Sequence, residues 1–405
     1  MMLFRRLTCP YCYGRFLQRN IEFRCTGRPG PDGHTCAPVV DRLLQRHAGN
    51  ATELPPTFRR SLWHQVRDRH RATCPGCRRE SPNRICPRCH SRLPVRFGKI
   101  ANRMIAMVGA RESGKSVYLT VLLHEMRNQV GQAFNASMSE ADDHTRSRFK
   151  ADFERAVYEN GELPRATSSA GQNYDRVTPL VFEFTTRRRT RFRGTRPVLN
   201  LLSFFDTAGE DLTTGDSVEY HTRYLTSADG IIVLLDPLQM PQARRLAHAD
   251  VRPPTMSDQE AVLHRVTELL QGAGDVVEPI RAPLAVAFTK IDTLEHQLGE
   301  TSPLRKEPEY APSADVAFDL DDADEVHVEV RRLLNTWESG SIDRYVQPRY
   351  RSFRYFGVSA LGAEPQDNRV RDGRVRPRRV SDPLLWLLSE FGAVPARRRP
   401  VEAEE

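Results

Sequence analysis

Residues 109–116 read Gly-Ala-Arg-Glu-Ser-Gly-Lys-Ser, and this octapeptide decides the fold of the chain. The apolar run Ile105–Val108 precedes it, and the helical pattern VYLTVLLHEMRNQV follows it. The spacing G-x-x-x-x-G-K-[ST] between a strand and a helix is typical of a phosphate-binding loop. The glycines let backbone amides wrap the phosphates, Lys115 reaches the β- and γ-phosphates, and the Ser116 hydroxyl ligates Mg²⁺. We therefore predict that nucleotide binds at Gly109, Gly114, Lys115, Ser116 and Val117.

A second motif follows the buried run VLNLLSFF at residues 198–205 and reads Asp206-Thr-Ala-Gly209-Glu210. Because Asp206 comes at the C-terminal end of a predicted strand, its carboxylate is placed to anchor Mg²⁺. The Gly209 amide can contact a γ-phosphate. We predict that Asp206 serves the metal and that Gly209 serves the nucleotide.

Two further strands end in motifs that suit a guanine base. The run PLAVAF leads into Thr289-Lys290-Ile291-Asp292, and FRYFGVS leads into Ser359-Ala360-Leu361. Asp292 can accept hydrogen bonds from both N1–H and the 2-amino group of guanine, a pattern that adenine does not offer. Lys290 would lie along the base plane, and the backbone after the last strand can bind the guanine O6. The predicted base site therefore consists of Thr289, Lys290, Asp292, Ser359 and Ala360.

In this order the motifs resemble those of the Ras-like, translation-factor-related class of P-loop GTPases. GARESGKS is similar to the phosphate loop, DTAGE to the second switch, TKID to the [NT]KxD base-specificity motif, and SAL to the last base-contacting loop. The resemblance covers residues 100–392. It implies an α/β fold, with a Rossmann-like sheet and helices on both faces, that binds GTP or GDP with Mg²⁺. Each motif would lie at the carboxyl edge of the sheet, where such folds bind ligands.

Three features depart from that class. The first switch is long, from Gly131 to Thr178, and includes a predicted helix at Asp142–Asn160. Its Mg²⁺-binding threonine is Thr167 or Thr178, and we favour Thr167. Arg111 stands where many members have glycine, and it acts either as an arginine finger in cis or as a solvated loop residue. Glu210 replaces the water-orienting glutamine, so we predict slow hydrolysis, with catalytic candidates Lys115, Glu210 and Arg111.

All eight cysteines lie in the first 89 residues, namely Cys9, Cys12, Cys25, Cys36, Cys74, Cys77, Cys86 and Cys89. In a reducing compartment, pairs with two-residue gaps indicate metal ligands rather than disulfides. The knuckles CPGC at 74–77 and CPRC at 86–89 are predicted to share one structural zinc ion. CPYC at 9–12 and the looser pair of Cys25 and Cys36 predict a second zinc ion. His34 as a replacement ligand, and cross-bracing between the two halves, are open alternatives.

The sequence predicts a zinc-ribbon module at residues 1–98, a G domain at 99–392 and a disordered tail at 393–405. The first 100 residues carry 19 Arg and one Lys against six acidic residues, a net charge of +14 in a chain of +8 overall. This excess permits an anionic partner. No apolar run approaches the roughly 20 residues of a membrane helix, and the N-terminus lacks the apolar core of a secretory signal. We therefore predict no membrane span and a cytoplasmic location.

Two clusters of charge stand out in the predicted G domain. Six arginines between Arg187 and Arg196 surround a turn that is predicted to form a sheet edge, where charge deters edge-to-edge pairing. Partner binding is the alternative for this cluster. Six acidic residues between Asp315 and Glu325 are predicted to form a solvated loop and the first turn of a helix.

Zinc knuckles followed by such a G domain also resemble one type of the bacterial double-GTPase family. That resemblance implies action in pairs, in multi-component signalling or conflict systems, with protein partners that include a second GTPase. We predict a GTP-binding switch whose zinc ribbon is a docking module. The alternatives are a GTP-dependent scaffold without turnover and a GTPase that binds nucleic acid through its basic ribbon.

Overall fold

The computed structural model describes residues 5–49, 52–60, 71–164, 179–190, 194–206, 217–247, 259–272, 278–306, 308, 316–337 and 339–398. The chain forms two compact units, and the division falls between Asn102 and Arg103. Each unit has its own core and its own functional residues.

The first unit is built from short antiparallel strands. β1 (Arg6–Thr8) pairs with β2 (Arg15–Leu17), and β3 (Glu22–Arg24) forms a later strand. The remaining elements are β4 (Val39–Val40), α1 (Arg42–Ala48), β5 (Glu53–Leu54), β6 (Thr57–Phe58), β7 (Ala72–Thr73), β8 (Glu80–Ser81) and β9 (Arg84–Ile85). β3 lies between β6 and β9, β4 pairs with β5, and β7 pairs with β8.

The first unit has a small apolar core and a buried cation. Phe23 is fully buried and stacks on Phe58 with ring centroids 6.0 Å apart. The Arg84 guanidinium donates to three backbone carbonyls, those of Pro94, Val95 and Phe97, at 2.6–3.0 Å. Burial lowers the pKa of Arg84, so these carbonyls offset the loss of water around the charge.

The second unit is organised around one seven-stranded sheet. Its strands are β10 (Ala101–Gly109), β11 (Ser137–Glu140), β12 (Leu180–Thr190), β13 (Gly194–Asp206), β14 (Gly230–Leu235), β15 (Leu284–Phe288) and, after the short β16 (Phe318–Asp319), β17 (Phe353–Gly357). The order is β11-β12-β13-β10-β14-β15-β17. β10, β14, β15 and β17 pair in parallel, whereas β11, β12 and β13 pair antiparallel.

Every residue of β14 and β15 is buried, which explains their uninterrupted apolar sequence. The helices of the second unit are α2 (Lys115–Arg127), α3 (Gln129–Ala133), α4 (Asp143–Arg148), α5 (Ser217–Ser227), α6 (Pro241–Leu246), α7 (Gln259–Gln271), α8 (Leu320–Thr336), α9 (Gly340–Val346) and α10 (Asp382–Glu390). The predicted α/β fold is confirmed.

The predicted inserted helix is present. α4 begins after Asp142, whose carboxylate accepts a hydrogen bond from the Thr145 amide at 2.7 Å. It continues without a break as a π-helix over Phe149–Glu159. Phe149, Phe153 and Val157 are buried on one side of this segment, so apolar packing fixes the insert against the rest of the unit.

The arginine-rich part of the β12–β13 hairpin, which starts at Arg187, lies beyond the last residue of β12 that pairs with β11. β11 pairs with β12 from Phe182 to Thr185, so β11 is the edge strand there and the hairpin is not. Beyond Thr185 the pairing of β12 with β13 continues to Thr190. The hairpin therefore extends past the end of the edge strand.

The C-terminal segment also differs from the predicted disordered tail. Ala393 and Val394 are buried, and the Thr186 hydroxyl donates to the Ala393 carbonyl at 2.8 Å. β18 (Ala396–Arg397) then pairs with β16. Residues 393–398 thus form part of the folded unit.

Part of the acidic run forms the start of α8, where Asp321 and Asp322 lie in the first turn as predicted. Asp319 caps α8 by accepting from the amides of Asp321 and Asp322 at 3.0 and 3.1 Å. Asp322 pairs with the buried Arg379 at 2.7 Å, and Asp324 lies within 2.7 Å of Arg354. Distant arginines therefore balance these carboxylates.

Within the described residues, no helix has the length and apolar character needed to cross a membrane.

Candidate functional site

The loops that follow the parallel strands meet around one cavity of about 680 Å³ in the second unit. The loop after β10 contributes Gly114 and Val117, and the loop after β15 contributes Thr289, Lys290 and Asp292. The loop after β17 contributes Ala360 and Leu361. The structure thus brings together the predicted phosphate and base residues at the carboxyl edge of the sheet.

The loop at residues 109–116 has the backbone that phosphate binding requires. The Lys115 side chain is buried, and its Nζ donates to the carbonyls of Gly109 and Ala110 at 2.9 and 3.0 Å. Gly114 adopts φ +80°, which favours glycine, directly before α2. A Cβ at residue 109 would come within 2.7 Å of the Leu234 carbonyl oxygen. The loop therefore holds an ammonium group beside the N-terminus of a thirteen-residue helix, where anions bind favourably.

The segment Thr289–Asp292 is tied to the phosphate loop. The Lys290 Nζ lies 2.6 Å from the Asp236 carboxylate and donates to the Glu112 carbonyl at 3.1 Å. The Thr289 hydroxyl donates to the Ser113 carbonyl at 3.0 Å. These contacts fix the Lys290 side chain beside the cavity that it lines.

Sequence reasoning missed the residues that support Lys290. Asp236 is fully buried at the end of β14, and the Gln259 amide donates to its carbonyl at 2.8 Å while accepting from its backbone N–H. The Gln239 amide donates to the Arg111 carbonyl at 2.8 Å. The position of Asp236 at a strand end was a signal in the sequence, whereas nothing in the sequence links the two glutamines to the site.

Asp292 has the environment of a carboxylate that receives a ligand. It is half-buried in the cavity. Burial raises the pKa of the Asp292 carboxyl, although a hydrogen bond with Ser359 and the charge of Arg378 lower it. Ser359 itself is held by backbone hydrogen bonds with Arg378 at 2.8 and 3.0 Å. A ligand with paired N–H groups would replace the water that Asp292 loses on burial.

Several predicted residues lie outside the described part of the chain. These are Thr167 with its alternative Thr178, Gly209 and Glu210. Asp206 is the last residue of β13, and its side chain is not described. Arg111 is exposed beside the phosphate loop. Its role as a catalytic arginine stays a prediction.

The donor set at the phosphate loop suits Mg²⁺. Ser116 follows Lys115 in the first turn of α2 and is half-buried. Asp206 ends the strand beside β10 in the sheet order. A hydroxyl and a carboxylate are oxygen ligands of the kind that Mg²⁺ prefers, together with water and phosphate.

The first unit brings the eight cysteines into two tetrads. One consists of Cys9, Cys12, Cys86 and Cys89, and the other of Cys25, Cys36, Cys74 and Cys77. Within each tetrad all four sulfur atoms lie within 4.8 Å of one another. All eight cysteines are free thiols, so neither tetrad is a pair of disulfides.

The sulfur geometry fits zinc. Tetrahedral Zn²⁺ with Zn–S bonds of about 2.3 Å places sulfur atoms about 3.8 Å apart. The closest S···S distances are 3.8 and 3.9 Å in the first tetrad and 3.5 and 3.8 Å in the second. Backbone amides of Tyr11, Gly27 and Arg88 point at ligand sulfurs at 3.4–3.5 Å. The tetrads are compatible with two closed structural zinc sites.

The pairing differs from the prediction that Cys74–Cys77 and Cys86–Cys89 share one ion. The first knuckle in the chain joins the last, and the two inner pairs join each other. The sites are therefore nested. His34 is exposed and belongs to neither tetrad.

Comparisons with known proteins show the family of the chain. The sequence profile of the double-GTPase 2 family matches residues 103–337, more than half of the chain. The putative ESX-1 scaffolding and assembly protein SaeC of Mycolicibacterium smegmatis is 30% identical over 327 residues, which are 76% of this chain and 80% of that protein. Among solved structures, the G domain of the T. maritima FeoB iron transporter is 11% identical, over 65% of this chain and 91% of that one, with a TM-score of 0.23. The chain therefore belongs to the double-GTPase 2 family.

Proposed function

We propose that this chain binds GTP with Mg²⁺, hydrolyses it slowly to GDP and phosphate, and uses the bound nucleotide to control assembly of a protein complex. The observation that carries the proposal is the half-buried Asp292 carboxylate in the same cavity as Lys290 and the phosphate loop. Family membership supports GTP binding.

Guanine suits the base end of the cavity. Asp292 accepts from N1–H and the 2-amino group, while Lys290, held by Asp236 at 2.6 Å, lies along the ring. The backbone at Ser359 and Ala360 donates to O6. Adenine presents an acceptor at N1 and would leave the Asp292 carboxylate without its donors, which is a strong penalty in a partly buried site.

The phosphate end suits a triphosphate. Lys115 and the amides at the start of α2 neutralise phosphate charge. Ser116 and Asp206 are the residues that would hold Mg²⁺, which when bound adds positive charge at the phosphates. Lys115 would exchange its two loop carbonyls for phosphate oxygens, which are stronger acceptors.

Hydrolysis requires a positioned water, and Glu210 or backbone groups supply that function in this proposal. A carboxylate orients water less suitably beside phosphate charge than an amide does, so slow turnover is expected without a partner. Arg111 or an arginine of a partner protein would stabilise the developing charge.

The output of the cycle is assembly. SaeC is described as a putative ESX-1 scaffolding and assembly protein, which favours protein partners over nucleic acid for this chain as well. The cysteine-rich unit, with two zinc ions, would be the docking module, and a cytoplasmic location remains our prediction. Scaffolding without turnover is the second candidate function.

Equilibrium binding and single-turnover hydrolysis test the proposal. Fluorescent GTP and ATP analogues are titrated with Mg²⁺, and phosphate release is followed with protein in excess. We expect GTP to bind more tightly than ATP and Lys115→Ala to lose GTP affinity by about 100-fold or more. Lys306→Ala, which alters an exposed lysine, is the matched control and should behave as wild type. Unchanged affinity in Lys115→Ala would contradict nucleotide binding at this loop, and GTP binding without turnover would favour the scaffold.

A further inference from the structure

The segment that follows the inserted helix pairs with the loop that comes after the predicted base-site residues Ser359 and Ala360. Leu163 N–H donates to the Asn368 carbonyl at 2.9 Å, and Val370 N–H donates to the Gly161 carbonyl at 2.8 Å. Glu162 and Arg369 are therefore antiparallel partners, and their side chains form an ion pair at 3.3 Å. We call residues 161–164 and 366–370 the strap.

Both arms of the strap border the nucleotide cavity. Leu163 and Pro164 line it from the segment that follows the inserted helix, and Asp367 and Asn368 line it from the loop after β17. The two arms are 207 residues apart in sequence. Their pairing thus closes a wall of the cavity that also contains Lys290 and Asp292.

The loop arm is preorganised. Gln366 and Arg369 exchange backbone hydrogen bonds at 2.8 and 3.0 Å around Asp367 and Asn368, which have φ values of +47° and +62°. Two central residues with positive φ are typical of a tight type I′ turn. At the base of the same loop Ser359 pairs with Arg378, so movement of this arm would disturb a residue of the base site.

The inserted helix, which leads into the first arm of the strap, is connected to α2, the helix that follows the phosphate loop. His124 of α2 and Tyr158 of the π-helix stack with ring centroids 3.7 Å apart. Arg127 of α2 lies 3.0 Å from Glu140 and 3.9 Å from Glu154. The strap therefore joins the helix that follows the phosphate loop to the loop that holds the base.

We propose that the strap is a wall of the nucleotide site and that opening of its pairing limits the rate of nucleotide release. This inference rests on the proposed function, because it assumes that the cavity holds the nucleotide. A bound nucleotide that is covered on one side by paired backbone leaves only after the two hydrogen bonds and the ion pair break.

A reversible disulfide tests the strap. Glu162 and Arg369 form a non-hydrogen-bonded antiparallel pair, because the hydrogen bonds are made by the residues on either side of them. The Cα atoms of such pairs are about 4.5 Å apart. That spacing suits a disulfide. Glu162→Cys/Arg369→Cys is loaded with fluorescent GDP, oxidised, and chased with excess GDP. Wild type is treated in the same way to control for oxidation of its own cysteines.

We expect the oxidised variant to release GDP at least about tenfold more slowly than wild type and the reduced variant to release it faster.

Variants that reverse the charges of the ion pair provide a second test, in which GDP release becomes faster rather than slower. Arg369→Glu should release GDP about two- to fivefold faster, since exposed ion pairs are weak, and Glu162→Arg/Arg369→Glu should restore the wild-type rate. Equal release rates before and after reduction would overturn the strap. Failure of wild type to bind GDP would instead overturn the proposed function, and the strap with it.

Discussion

At the scale of single residues, the site contrasts two charged groups. The Lys290 ammonium has a buried carboxylate partner, Asp236, at 2.6 Å. Among the described ion pairs, none joins a lysine or arginine to the Asp292 carboxylate. Burial raises the pKa of this carboxyl. Its burial therefore costs stability in the absence of ligand.

The first prediction is that Asp292→Asn stabilises the nucleotide-free protein. A carboxyl whose pKa is raised on folding favours the folded state below the ordinary pKa near 4, and this contribution is lost as pH rises. At pH 7.5 the neutral amide should therefore raise Tm by about 2 °C, and the gain should shrink toward pH 4.5. Differential scanning fluorimetry without nucleotide measures both values.

Glu300→Gln, at an exposed carboxylate away from the cavity lining, is the control and should leave Tm unchanged. A nucleotide-free Asp292→Asn protein that melts below wild type at pH 7.5 would show that the carboxylate stabilises the fold.

Residue-level reasoning found the loop glycines, Lys115 and Asp292 because their chemistry is tied to short motifs. It did not find Gln239 or Gln259, which reach the site from elements whose position only the folded sheet defines. It also gave no sign that the loop beyond Leu361 would border the cavity.

At the scale of elements, α8 covers the outer strand of the parallel sheet. The Tyr355 N–H of β17 donates to His327 Nδ1 at 3.1 Å, and the two rings stack with centroids 5.2 Å apart. Only a neutral imidazole can accept this hydrogen bond. Burial, together with the charges of Arg354 and Arg331, lowers the pKa of His327 to about 4, against the opposing charges of Asp343 and Asp324.

The second prediction follows from this depressed pKa. As pH falls from about 6.5 to about 4, the unfolded chain binds a proton at residue 327 before the folded chain does, so stability is lost. Over this range the wild type should lose about 3 °C more in Tm than His327→Asn, which keeps an acceptor near the Nδ1 position and does not titrate. Parallel pH profiles of the two proteins would contradict a neutral, buried His327.

The strands were predictable because parallel strands that are buried on both faces appear as short apolar runs. The starts of helices were harder to predict. α8 begins at Leu320 because Asp319 supplies a cap, whereas the sequence predicted that part of the acidic run forms a loop and the rest the first turn of the helix. The folded structure of residues 393–398 could not be predicted from the sequence, because a two-residue strand such as β18 forms only where its partner β16 is present.

At the scale of the whole molecule, the cysteine-rich unit depends on long-range closure. The outer tetrad joins Cys9 and Cys12 to Cys86 and Cys89, so most of the unit lies between its ligands in the sequence. Spacing alone favoured neighbouring knuckles, and only the three-dimensional path of β1–β9 brings the first knuckle beside the last. Because the apolar core of this unit is so small, we expect the unit to need metal to fold.

The third prediction concerns metal content. The wild type should contain two zinc ions per chain. In the nested arrangement Cys12→Ser/Cys86→Ser damages one site and should keep one zinc ion, whereas Cys77→Ser/Cys86→Ser damages both sites and should keep none. Elemental analysis of proteins purified without chelator measures this. The reverse result for the two double variants would indicate that neighbouring knuckles share an ion.

The central claim is that the cavity binds guanine through Asp292, and binding of GTP and XTP to wild type and Asp292→Asn tests it most directly. In the variant an amide donor would face the 2-amino group of guanine, whereas xanthine carries an oxygen there. We predict that GTP affinity falls by about 100-fold or more while XTP affinity rises, and that Asp292→Ala loses GTP affinity without gaining XTP. Equal GTP affinity in wild type and Asp292→Asn, or wild-type binding of ATP as tight as that of GTP, would contradict the account.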